Sequence, residues 1–153
     1  MKLEIADCGF RISELQTANN EHRKTKNETK MTNEELCTLY SEVIKLCKPA
    51  EKHFVNRSKT GIDLYTKKPV KAFGKEYPDM FFAGVKLNKG YIGFYFMPIY
   101  CEPTLVGQLD SELLKLLKGK SCFHLKKIAP ELKLAIKHAL ELGIKNYREK
   151  EWI

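Results

Sequence analysis

Apolar positions along this chain recur with two different periods, and each change of period marks an element. Over 33–48, Leu36, Tyr40, Val43 and Cys47 share one helical stripe with Leu39 and Ile44 beside it. This pattern predicts an amphipathic helix, Asn33–Lys48, that stops before Pro49. Thr32 and Glu35 ahead of it have the spacing of a capping box. Short apolar pieces follow, Phe54-Val55 and Ile62–Tyr65, separated by Ser58–Gly61, and they read as short strands and turns. From Phe81 the period becomes two. FFAGVKL and YIGFYFM flank Asn88-Lys89-Gly90, whose glycine suits the positive-φ position of a three-residue hairpin loop.

That loop sets a register in which Leu87 faces Tyr91, Val85 faces Gly93, Ala83 faces Tyr95 and Phe81 faces Met97. On the other side Gly84 faces Phe94 and Phe82 faces Phe96, so small residues oppose large ones. Both faces of the hairpin are apolar: Phe82, Ile92, Phe94 and Phe96 on one, Phe81, Tyr91 and Tyr95 on the other. A strand pair apolar on both sides belongs in the middle of a sheet. Helices that cover only one of its faces leave the second to line a ligand pocket or a contact with a second copy.

Downstream, Pro98 and Pro103 bracket a loop, and Asp110 or Ser111 caps a short Leu-rich helix, Glu112–Lys118, ended by Gly119. Lys120–Lys127 alternates as a strand. Pro130 opens a long closing helix with Leu132, Ile136, Ala139, Gly143 and Tyr147 on its apolar stripe, Gly143 allowing close packing on the sheet. The elements define an α+β class: an antiparallel sheet with an N-terminal helix, a short Leu-rich helix and a long C-terminal helix packed on it. They fill a single domain, 31–153. Residues 1–30 are polar, lack either period and read as a disordered or loosely attached leader, with Met31 an alternative natural start.

A chain of 153 residues with 43% hydrophobic content suits one domain with a single core. No apolar run approaches the roughly 18 residues of a spanning helix, and no secretory signal opens the chain. The expected address is the cytoplasm, with no membrane partner. Five cysteines, odd in number and scattered, read as reduced thiols. The net charge of +8 invites phosphate, but acids sit between most bases, and only 119–153, with eight bases against four acids, is clearly basic. Nucleic acid is therefore a secondary reading, resting on a strip from Lys120 to Lys150 that Glu131, Glu141 and Glu149 interrupt.

Candidate chemistry is sparse. Cys122 and His124 share one face of a strand, the nearest approach to a metal pair, with Cys101 or His53 as a third ligand. The same two residues have the types of a nucleophile and its base, without an oxyanion-hole signature or a group to orient the imidazole. Gly119-Lys120-Ser121 lacks the earlier glycine of a phosphate loop, Leu114 standing in its place. No cofactor is implied. The candidate ligand-binding residues are Phe82, Tyr91, Phe94, Tyr95, Phe96, Cys122 and His124, and the expected partner is a small ligand or a protein, including a second copy of the chain.

Three blocks carry a family resemblance: Tyr77-Pro78 with Met80–Val85, Gly90-Tyr91 with Gly93–Phe96, and Leu117, Gly119-Lys120, Cys122, His124 and Lys126. Together they resemble the bacterial YdhG-like domains of unknown function, over roughly 32–153. The resemblance implies an N-terminal helix, an antiparallel sheet and a closing C-terminal helix, and no catalytic residues. Some members are labelled frataxin-like iron chaperones, which implies a metal-handling alternative. Iron binding of that type uses an acidic surface of oxygen ligands, and this domain is basic.

Overall fold

The computed structural model describes residues 31–153, and the leader expected over 1–30, with His22, lies outside the described residues. Helix α1 spans Asn33–Cys47. Its capping box is formed: the Glu35 backbone N–H donates to the Thr32 hydroxyl at 3.0 Å, and the Thr32 N–H donates to the Glu35 carboxylate at 3.3 Å. Pro49 cannot continue an α-helix after Lys48, and the chain tightens into a 3-10 turn, Lys48–His53.

Eight strands follow in two sheets. The main sheet joins β1 (Val55–Asn56), β2 (Ile62–Tyr65), β5 (Phe81–Asn88), β6 (Tyr91–Phe96), β8 (Cys122–Leu125) and β7 (Leu117–Lys118) in the order β1-β2-β5-β6-β8-β7. Every pairing is antiparallel. A separate hairpin, β3 (Val70–Ala72) and β4 (Lys75–Tyr77), lies between β2 and β5 in sequence. Short helices α2 (Pro98–Cys101) and α3 (Ser111–Leu114), with a 3-10 turn at Pro103–Gln108 between them, lead to the closing helix α4, Pro130–Glu149.

The fold class is as expected, α+β with an N-terminal and a long C-terminal helix. The hairpin register is not. Asn88 pairs with Tyr91, so the loop is the two residues Lys89-Gly90, with Gly90 at φ +82, and the partners are Leu87–Ile92, Val85–Phe94, Gly84–Tyr95 and Ala83–Phe96. A shift of one residue moves the β5 side chains to the opposite face. Ala83, Val85 and Leu87 therefore join the Phe94 side, and Gly84 joins the Tyr95 side. Phe82 still reaches the core because β2 and β5 are out of step between Leu64 and Tyr65: Ala83 pairs with Leu64 and Phe81 with Tyr65, leaving Phe82 as the extra residue of a bulge.

The short Leu-rich helix ends at Leu114 rather than Lys118. Leu117 and Lys118 instead pair with Phe123 and Cys122, and Gly119, at φ +78, turns that hairpin rather than ending a helix. The strand expected over Lys120–Lys127 is confined to Cys122–Leu125, and the loop after Pro98 contains α2.

Both long helices lie on one side of the sheet. Val43 of α1 and Ile136 and Ala139 of α4 are fully buried with Phe82, Phe94, Phe96, Phe123, Ile92 and Leu64. Full burial of a Val, Leu, Ile or Phe side chain contributes about 1.5–3 kcal/mol. Gly143 sits where α4 crosses the sheet, and a Cβ there would lie 2.7 Å from Phe96, 2.8 Å from Pro98 and 2.9 Å from Phe82. The sheet thus has one face sealed by helices and one face open.

Candidate functional site: the open face of the sheet

Alternation along each strand decides what the open face carries. β6 presents Tyr91, Gly93 and Tyr95, β5 presents Phe81, Gly84, Lys86 and Asn88, and β8 presents Cys122 and His124. Asp63 and Tyr65 come from β2, and Lys118 from β7. Among these, only the two glycines are buried.

The rings lean on those glycines. Seen from the Cβ position that Gly84 lacks, the Phe81 ring tip is 3.1 Å away, and from that of Gly93 the Tyr95 ring is 2.9 Å away. A side chain at either position would lift its aromatic neighbour off the sheet. Phe81 also meets Tyr65, with centroids 5.4 Å apart. The Arg57 guanidinium lies 3.9 Å above the Tyr65 ring and pairs with Asp79. Lys86 places its ammonium 5.6 Å from the Tyr95 centroid. Between β5, β2 and the Ser58–Gly61 loop runs a trough of about 780 Å3, lined by Asp63, Tyr65, Phe81, Lys86, Asn88 and Tyr95 on the open side and reached by Tyr40 of α1 with Ile62, Val85 and Leu87 from the helical side. That volume is in the range of small-molecule sites.

The sequence candidates divide between the two faces. Tyr91, Tyr95, Cys122 and His124 come together on the open side. Phe82, Phe94 and Phe96 are completely buried under the helices and present no surface to a ligand. Cys122 and His124 do share a face, yet each is engaged by a different tyrosine. His124 stacks on Tyr91 at 4.0 Å and 23°. The Tyr95 hydroxyl bonds to the Cys122 thiol and to the Asn88 amide. Burial pushes the Cys122 thiol up, partly offset by its bond from Tyr95, so at neutral pH it is a thiol rather than a nucleophilic thiolate.

Cys101 bonds to Tyr147, whose hydroxyl donates to the Phe81 carbonyl at 2.6 Å. His53 is held below the usual imidazole range by burial and by Arg148, Lys52 and Lys67. Among the described residues no three His, Cys, Asp or Glu side chains converge as metal ligands. No helix among them is long and apolar enough to cross a membrane.

Sequence reasoning missed Tyr65, Lys86 and Asn88 as parts of this surface. Lys86 and Asn88 were legible once β5 alternates from Gly84, but only in the correct register. Tyr65 required knowing that β2 pairs with β5. Compared with family models, curated proteins and solved structures, the chain matches none, and the resemblance to YdhG-like domains stands on its motif residues alone.

Proposed function

We propose that this domain is a non-catalytic cytoplasmic binding module whose open sheet face takes a ring-bearing ligand. One observation carries the reading: the helices seal the phenylalanine face and leave a trough beside Tyr65, Phe81 and Tyr95. Aromatic side chains held close to glycine backbone offer stacking area at low entropic cost. Lys86 and Asn88 supply a charge and an amide at the rim, the few placed polar groups that orient a ligand. The chemistry favours binding over catalysis, since Cys122 stays protonated and His124 is stacked rather than poised against it.

Amide NMR titration of the full chain with adenosine monophosphate, flavin mononucleotide and free tryptophan tests this. At least one probe is expected to shift the amides of Gly84, Lys86 and Gly93. Tyr95→Ser should weaken that probe about fivefold or more, from the loss of one stacked ring, while Tyr95→Phe retains it. Shifts confined to another surface, or no shifts with any probe at millimolar concentration, would sink the reading.

A further inference from the structure

We infer that the natural ligand of the open face is a single-stranded nucleic acid, its bases stacked on Tyr95 with Phe81 and on Tyr91 with His124, and its phosphates beside Lys86 and Lys118. The inference rests on the open-face reading above and assigns its ligand class.

Charge supplies the first argument. Along the sequence acids interleave with bases, and the fold pairs some of them. In the helical layer Lys133 and Lys45 meet Glu42, Lys150 meets Glu102 and Lys115 meets Glu112, while Lys137, Lys145 and Arg148 form no ion pair among the described residues. The C-terminal basic strip is thereby compensated in part. On the open face the strands contribute Lys86 and Lys118 against Asp63, and Arg57, just past β1, lies over Tyr65. Arg57 is paired with Asp79, whereas Lys86 and Lys118 form no ion pair among the described residues. Lys86 and Lys118 against Asp63 leave a small positive excess beside the rings, and backbone phosphate is a fitting complement.

Ring geometry supplies the second. The Phe81 ring tip and the Tyr95 ring edge rest over Gly84 and Gly93, and both rings stay half-exposed on the open side. Tyr91 and His124 form a second platform, four residues along β6 from Tyr95 and hence about 13 Å away. Aromatic platforms interleaved with cations are what single strands require, because every base has a π face and every linkage a phosphate. Five strand spacings of about 4.8 Å make the face about 24 Å wide, enough for a few nucleotides. An acidic peptide would satisfy the lysines and leave the rings unused. A lipid surface needs a projecting apolar element, and this face is a trough.

Fluorescence anisotropy of the full chain with a labelled twelve-nucleotide oligo(dT), at 50 and 200 mM salt, is the test. Two to three phosphate contacts give a slope of log affinity against log salt of about −2, so affinity should fall about 15-fold between those conditions. Lys86→Gln and Lys118→Gln, both exposed and outside the packed core, should each flatten the slope by about 0.7. Tyr95→Ser should weaken binding at both salts, Tyr95→Phe should not, and Lys137→Gln on the helical layer should change nothing. No binding at 50 mM salt, or binding that responds to Lys137 and not to Lys86 and Lys118, overturns the inference. Shifts by adenosine monophosphate in the trough without oligonucleotide binding would overturn this inference and leave the open-face reading standing. Failure of every probe would remove both.

Discussion

Glu151 shows how a single residue can be placed against its own preference. α4 ends in a Schellman arrangement: the Trp152 N–H donates to the Tyr147 carbonyl at 2.9 Å and the Glu151 N–H to that of Arg148 at 3.0 Å. This geometry puts Glu151 at φ +61, where glycine is usual. What holds it is the buried Trp152 ring, packed edge-on against Tyr147 at 4.9 Å. Glu151→Gly should raise unfolding stability by about 0.5–1 kcal/mol, read from the urea midpoint, because the turn remains and the strain goes. An unchanged or lowered midpoint would mean that the glutamate is not strained there. At this scale the site was half legible. Alternation along β6 and β8 is local, so Tyr91 with Tyr95, and Cys122 with His124, could be grouped from spacing alone. Which of the aromatic residues were surface and which were core depended on where the helices lie, and no residue carries that information by itself.

Among the elements, α1 and α4 were the most legible, since a helix closes its own hydrogen bonds and its caps sit within four residues of its ends. Gly143 was singled out as a point of close approach, and the contacts of α4 with Phe82, Phe96 and Pro98 bear that out. Gly143→Ala should destabilise the fold by about 1–3 kcal/mol, despite alanine's better helix propensity, since three core groups would have to move. A midpoint at or above wild type would show that the rings yield freely. Strand register was harder. Whether Asn88 belongs to the loop or to the strand changes the hairpin by one residue, and that single step exchanges the faces of β5. The apolar content of both faces allowed either choice, and pairing with β2, through the bulge at Phe82, decides between them. The β7–β8 hairpin was hidden for a related reason: two residues of strand leave no period to read.

The whole molecule adds a pH dependence that no element has alone. Cys47 is fully buried between helix and sheet, and burial pushes its thiol from about 9 up to about 12. Tyr147 is likewise raised by burial. Each group has a folded value above its unfolded one, so its contribution is complete below the unfolded value and is lost as pH rises toward the folded value. Between about pH 9 and pH 12 stability should fall by about 1 kcal/mol per pH unit for Cys47, with Tyr147 adding to the loss above pH 10. Urea unfolding at pH 8 and pH 10.5 measures the slope, and Cys47→Val should reduce it. An identical slope in that variant would assign the alkaline loss elsewhere.

By itself the sequence determined the helices, the existence of the central hairpin, the α+β class and the pairing of side chains within each strand, because all of these follow from periods and caps that span a few residues. Only the tertiary structure decided the order β1-β2-β5-β6-β8-β7, the register, and the sealed and open faces. Those depend on contacts between residues far apart in the chain, and Lys133 meeting Glu42 is one of them. An aromatic hairpin becomes a binding surface only when helices cover one of its two faces, and that choice is made by packing, not by the strand.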